Sequence, residues 1–263
     1  MKLPERAIVK VSACGIFSQP TFKSEMVNQA LMWEEVLISD KKDNWCKIQL
    51  EYDGYAGWIN AMYLTFSKKA FEIKRDYPTI MAVQTIKNIE RPFGVSNLAA
   101  NFILSPGTEI PLINEDYKEE YNSIKSNVEF FIFDIYDGSP VKRKCYFSQR
   151  SYPFISHNGC KPNELIHNLR EFCIMLENNY DFLGFPYLWG GRSFQGYDCS
   201  GFIQAIFKIF CNLKFPRDAK DQINSELLEE VQEPYDVNAV LGDLFFFKTG
   251  DILNSCTVGY ATL

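Results

Sequence analysis

Between residues 6 and 66 apolar and polar positions alternate in short runs, as in "EEVLISDKKDNWCKIQLEYDGYAGWINAMYL", and turn residues separate the runs. A period of two marks strands with one buried face, so this segment predicts a small antiparallel barrel. Asp43-Asn44 and Asp53-Gly54 supply tight turns between runs rich in Val, Ile, Trp and Tyr. A second β-like region runs from about 78 to 150, with "TIMAVQTI", "NFILSPGTEIPLI" and "NVEFFIFDIYDG" as strands and Pro106-Gly107 and Asp137-Gly138 as turns. The polar stretch "NEDYKEEYNSIKS" between those strands predicts an exposed insertion or helix.

Beyond residue 160 the period changes. Leu165, Leu169, Phe172 and Leu176 recur at helical spacing behind Asn163, a candidate cap. A second helix, "CSGFIQAIFKIF", carries Phe202, Ile206 and Phe210 along one face, and "PRDAKDQINSELLEE" predicts a third. The runs "GDLFFFK" and "TVGYATL" then read as strands, so helices followed by strands make this part an α+β domain. Three domains are expected, over residues 1–72, 73–155 and 156–263.

Composition narrows the class. With 46% hydrophobic residues, 15% aromatic and 23% charged, the chain can bury a substantial core. A formal net charge of -6 argues against a nucleic-acid footprint, which needs clustered Lys and Arg. The N-terminal segment breaks its apolar residues with Pro4, Glu5, Arg6 and Lys10, and no apolar run approaches the roughly 20 residues of a membrane helix. A cytoplasmic protein without membrane partners is therefore expected. The eight cysteines include no CxxC pair, and no His, Cys or carboxylate cluster has ligand spacing, so neither metal nor organic cofactor is expected.

Chemistry concentrates in "PYLWGGRSFQGYDCSGFIQA", residues 186–205. Cys199 stands at the start of the predicted helix, where unpaired backbone N–H groups favour a thiolate. Gly190, Gly191 and Gly196 allow the backbone to approach a substrate, and Gly201 allows close packing behind the cysteine. An attacking thiol needs a neighbouring base to take its proton and to protonate the leaving amine. Both histidines, His157 and His167, precede Cys199.

The blocks "PYLWGG", "DCSGFIQ", "PRDA" followed by Gln222, and "GDLFFF" resemble the NlpC-type murein peptidase family of papain-like cysteine peptidases. Trp33, "DNWCKIQL" and "DGYAGWI" are similar to the bacterial SH3-like domain, with Trp45 and Trp58 as core residues, and together these match the YkfC-like subgroup. The resemblance implies two small SH3-like β-barrels followed by a papain-like α+β peptidase domain. It implies cleavage between D-glutamate and a diamino acid in short murein peptides, with Cys199 as nucleophile and Tyr187 beside the oxyanion. By the same resemblance Asp198 and Ser200 hold the substrate's free amino end, and Arg217, Asp218 and Tyr55 line the specificity pocket. Arg217 and Asp218 equally suit a salt bridge at a helix start, and Tyr55 a surface turn.

Two departures from the family pattern shape the expectation. The family histidine follows the cysteine and opens a strand, and the position aligned with it here is Thr257. The family's third polar residue would fall beyond Leu263, which implies a C-terminally truncated domain, loss of turnover, and self-association through an uncovered sheet edge. A peptide-binding protein without catalysis is the alternative, and an inactive shortened family member is the remaining one.

Overall fold

The structure, a computed structural model, describes residues 5–86, 103–113, 126–134, 137–147, 154–155, 184–230, 243–248 and 256–260. The chain divides into two compact units, Met1–His157 and Asn158–Leu263.

In the first unit the alternating segment folds into a seven-stranded antiparallel sheet. Its strands are β1 (Glu5–Val9), β2 (Ala13–Phe17), β3 (Met26–Leu31), β4 (Glu35–Lys42), β5 (Trp45–Leu50), β6 (Ala56–Asn60) and β7 (Leu64–Thr65), in the spatial order β3-β2-β6-β5-β4-β1-β7. The predicted turns form. Lys42 pairs with Trp45 across Asp43-Asn44, with Asp43 in the left-handed region at φ 51°. At the next turn Gly54 has φ 76° and the Asp53 carboxylate accepts the Tyr55 N–H at 3.0 Å. The inward residues Ala7, Val9, Ile16, Val36, Ile48, Leu50, Ile59 and Leu64 form one core.

Trp45 lies in the barrel wall, 8% exposed, but Trp58 is only half-buried, so the expected pair of core tryptophans reduces to one. The deepest tryptophan is Trp33. It sits at φ 70° in the sharp turn between β3 and β4, where Glu34 Oε2 accepts the Leu31 N–H at 2.9 Å. A left-handed L-residue costs about 1–2 kcal/mol, and tertiary contacts offset it here. The Trp33 indole Nε1–H donates to the Phe131 carbonyl at 2.9 Å, the ring lies 4.2 Å from Phe133, and Lys74 Nζ donates to the Trp33 carbonyl at 2.9 Å.

The two phenylalanines belong to the second β region. It comprises β8 (Thr79–Ala82), β9 (Glu109–Pro111), β10 (Ser126–Phe133), β11 (Pro140–Phe147) and β12 (Phe154–Ile155), and follows helix α1 (Lys68–Asp76). A three-stranded sheet β12-β8-β9 and the hairpin β10-β11 are joined by a Leu112–Phe130 bridge. The core of this region includes Ile8, Met32 and Trp33, so it is continuous with the first sheet, and the boundary expected after residue 72 runs through α1. The expected insertion at 114–126 and the expected helix at 161–180 lie almost wholly outside the described residues, as do His157 and His167.

The second unit contains a short hairpin, β13 (Arg192–Ser193) with β14 (Gly196–Tyr197), helix α2 (Cys199–Cys211), a single helical turn at Ala219–Gln222, and the antiparallel pair β15 (Leu244–Lys248) and β16 (Cys256–Tyr260). Helix α2 was expected to bury one face, yet every residue from Ser200 to Cys211 except Phe202 is buried, Lys208 included. A helix enclosed on all sides is a central core element. The expected helix over 216–230 stops after one turn. Asn224 Nδ2 donates to the Lys220 carbonyl, and Ser225 Oγ accepts the Leu227 N–H, so side chains compete with the helical ladder where it would continue.

Candidate active site

Three passes of chain meet at the start of α2. The first, Pro186–Gly191, pairs with the second through Leu188 N–H to the Tyr197 carbonyl at 3.1 Å, then turns at Trp189-Gly190 with Gly190 at φ 73°. The turn closes with Gly191 N–H to the Leu188 carbonyl at 2.8 Å. That φ at the third position of a turn is the role glycine fills without strain. The second pass is the β13–β14 hairpin, and the third is Asp198–Gly201. Backbones touch directly: a Cβ on Gly201 would stand 2.2 Å from the Gly191 carbonyl oxygen, closer than any real Cβ contact.

Asp198 caps α2. Its Oδ1 accepts the Gly201 N–H at 2.7 Å, satisfying one of the orphan donors of the first turn. Its Oδ2 accepts the Gly190 N–H at 2.8 Å and so ties the aromatic loop to the helix start. Arg217, 3% exposed, reaches the same carboxylate from the chain beyond α2 in a bidentate pair, Nη1 to Oδ1 at 2.9 Å and Nη2 to Oδ2 at 2.7 Å. Nη1 also donates to Ser200 Oγ at 3.0 Å. Gln222, fully buried, holds the segment carrying Arg217 against the helix, its Nε2 donating to the carbonyls of Ser200 at 2.9 Å and Pro216 at 2.7 Å.

Cys199 is the first residue of α2, a free thiol of intermediate exposure. Tyr187 and Trp189 stand exposed on the tied loop, 66% and 61%. The Tyr187 phenol titrates above its ordinary value, first through partial desolvation and then through negative charge at Cys199 and Asp198, with Arg217 opposing. The neighbouring Tyr197 phenol is buried and is pushed much further up by desolvation. A thiol at a helix start can attack an electrophilic carbonyl.

Of the residues singled out by sequence, Cys199, Asp198, Ser200 and Arg217 come together, with Tyr187 on the adjoining loop. Asp218, half-buried, heads the one-turn helix, its carbonyl accepting the N–H groups of Asp221 and Gln222 at 2.9 Å. Tyr55 belongs to the first unit, where its hydroxyl donates to the Val27 carbonyl at 3.3 Å. Thr257 lies in β16 opposite Phe247, and β16 packs against α2. Two further residues join the site only in the structure: Trp189, inside the 186–205 motif, and Gln222, through its anchoring bonds. Among the described residues no group of three His, Cys, Asp or Glu could hold a metal ion, and no helix is long and apolar enough to cross a membrane.

One unit thus carries a free cysteine at the head of a capped helix, and the other a small antiparallel sheet. Residues 184–260 belong to the NlpC/P60 family, and residues 16–63 match the bacterial dipeptidyl-peptidase SH3 domain. The chain is similar to the γ-D-glutamyl-L-lysine dipeptidyl-peptidase of Bacillus cereus, 26% identical over 234 residues, covering 86% of this chain and 61% of that protein. The enzyme of the same name from Bacillus subtilis is 26% identical over 226 residues, covering 83% of this chain and 63% of that protein. The chain therefore spans about three fifths of the length of these curated relatives. A solved NlpC/P60 family protein from Bacillus cereus shares the fold, with a TM-score of 0.64 at 21% identity over 97% of this chain and 87% of that one.

Proposed function

We propose that the chain acts on short murein peptides containing D-glutamate and a diamino acid, as a γ-D-glutamyl-diamino-acid endopeptidase with Cys199 as nucleophile. The observation that carries this reading is the placement of Cys199 as the first residue of α2, beside the loop bearing Tyr187 and Trp189. In the proposed reaction the Cys199 thiolate attacks the scissile carbonyl carbon, and the oxyanion develops beside Tyr187. The oxyanion then collapses, the C–N bond breaks, the amine leaves carrying a proton taken from water, and water hydrolyses the thioester to the free acid and the Cys199 thiol. Ser200 and Asp218 are read as the substrate side of the site. Residues 73–155 are read as a second, divergent SH3-like barrel, a reading supported by their two small sheets.

One observation favours a second reading, binding without turnover. The position that the resemblance aligns with the family's histidine is Thr257. A helix start stabilises a thiolate but supplies no acid for the departing amine. Incubation of the full chain with an alanyl-γ-D-glutamyl-diamino-acid peptide, followed by mass spectrometry, separates the two. Cleavage lost in Cys199→Ala supports the endopeptidase. An intact peptide with saturable binding by calorimetry supports the binding protein, and neither cleavage nor binding at millimolar peptide removes both.

A further inference from the structure

Asp198 and Arg217, to which the family resemblance gives substrate roles, are turned on each other. The two Asp198 oxygens meet five donors: Gly201 N–H, Arg217 Nη1 and the Ser200 hydroxyl at Oδ1 (2.7, 2.9 and 3.4 Å), Gly190 N–H and Arg217 Nη2 at Oδ2 (2.8 and 2.7 Å). A carboxylate offers about four lone-pair sites, so no acceptor capacity remains for the three donors of a substrate ammonium group. Arg217 is engaged in the same way, donating also to Ser200 Oγ and, at 3.4 Å, to the Gly191 carbonyl. Both side chains are almost wholly buried, at 2% and 10% exposure.

We propose that Arg217 is a positioning residue for the nucleophile: it cancels the Asp198 charge one residue before Cys199 and clamps the Gly190-Gly191 loop to the start of α2. The inference rests on Cys199 as nucleophile and changes the role of its neighbours from binding the peptide to preparing the thiol. A bare buried carboxylate at position 198 would oppose negative charge on the adjacent sulfur and on an oxyanion formed beside it. Paired with Arg217 the carboxylate is neutralised, while its capping bond to Gly201 is kept. The helix-start amides then act on Cys199 without an opposing charge. Among the described residues, the other charged or titratable groups on elements around the start of α2 include Tyr187 on the loop, Arg192 on β13, Tyr197 on β14, and Asp218, Lys220 and Asp221 on the one-turn helix. Strand β16, of sequence CTVGY, brings no residue charged at neutral pH.

The test measures alkylation of Cys199 in the full chain by neutral iodoacetamide and by anionic iodoacetate, scored by peptide mapping against the buried Cys14, Cys46 and Cys211. In Arg217→Met the iodoacetamide rate at Cys199 falls about tenfold, and the iodoacetate rate falls further because the reagent meets the uncovered carboxylate. Arg217→Lys keeps a cation and loses less. Asp198→Asn/Arg217→Met removes the stranded charge, keeps a capping oxygen, and recovers to within about threefold of the parent. Parental rates in Arg217→Met overturn the inference. So does a double variant no faster than Arg217→Met, or one that fails to fold, since Arg217 would then serve packing alone. If Cys199 in the parent reacts no faster than the buried thiols, the nucleophile reading itself fails, and this inference with it.

Discussion

Gly201→Ala isolates the contact on which the site is built. The added methyl would sit 2.2 Å from the Gly191 carbonyl oxygen, 2.9 Å from Asp198 Oδ1 and 3.2 Å from Arg217 Cζ. Ordinary contact begins near 3.4 Å, so the Gly191 carbonyl must retreat by about 1 Å, and it is backbone, without a rotamer to absorb the shift. Retreat stretches two bonds to that oxygen, Asp198 N–H at 3.2 Å and Arg217 Nη2 at 3.4 Å. Overpacking costs about 1–3 kcal/mol and the two bonds roughly 1 kcal/mol together at these lengths, while alanine returns about 1 kcal/mol of helix propensity. The expected net loss is about 1–3 kcal/mol. Urea unfolding followed by the fluorescence of Trp189, with the other three tryptophans replaced by phenylalanine in the parent and in the variant, reads the second unit. A Gly201→Ala protein as stable as that parent, or more stable as propensity alone would have it, refutes the close-packing argument.

Trp33→Phe removes the indole donor and leaves the buried Phe131 carbonyl short of a partner, so the first unit should lose about 1–3 kcal/mol in urea unfolding. A loss under about 0.5 kcal/mol would show that this bond does not hold the two β regions together. Tyr197 predicts a pH effect. Its folded-state pKa is raised by burial, so its contribution to stability is complete below about pH 10 and declines as pH rises from there toward the folded value. Thermal unfolding between pH 9 and 11 should show that decline in the parent and a flatter profile in Tyr197→Phe. Equal slopes would rule out Tyr197 as its source.

Much of the first sheet is legible in the chain because its causes are local. Alternation sets which side chains of β4 and β5 face inward, and Asp43-Asn44 and Asp53-Gly54 set the turns. The start of α2 is legible for the same reason, since Asp198 caps it through its own side chain. The helix predicted over 216–230 is cut short because the Asn224 and Ser225 side chains bond to backbone instead. Helix α2 misled because an apolar stripe shows that one face is buried and leaves open whether the opposite face is covered as well.

The barrel strands, the capped helix with Cys199 at its head and the NlpC/P60 match of residues 184–260 are all legible along the chain. Only the tertiary structure decided that Trp33 belongs to a core shared with Phe131 and Phe133, 98 and 100 residues away, and that Arg217 closes on Asp198 rather than standing open. The physical reason is the same in both cases. Strand period and helix caps follow from neighbours a few bonds apart, whereas the partner of a buried charge or an indole N–H depends on which distant segments meet once the chain has closed its loops.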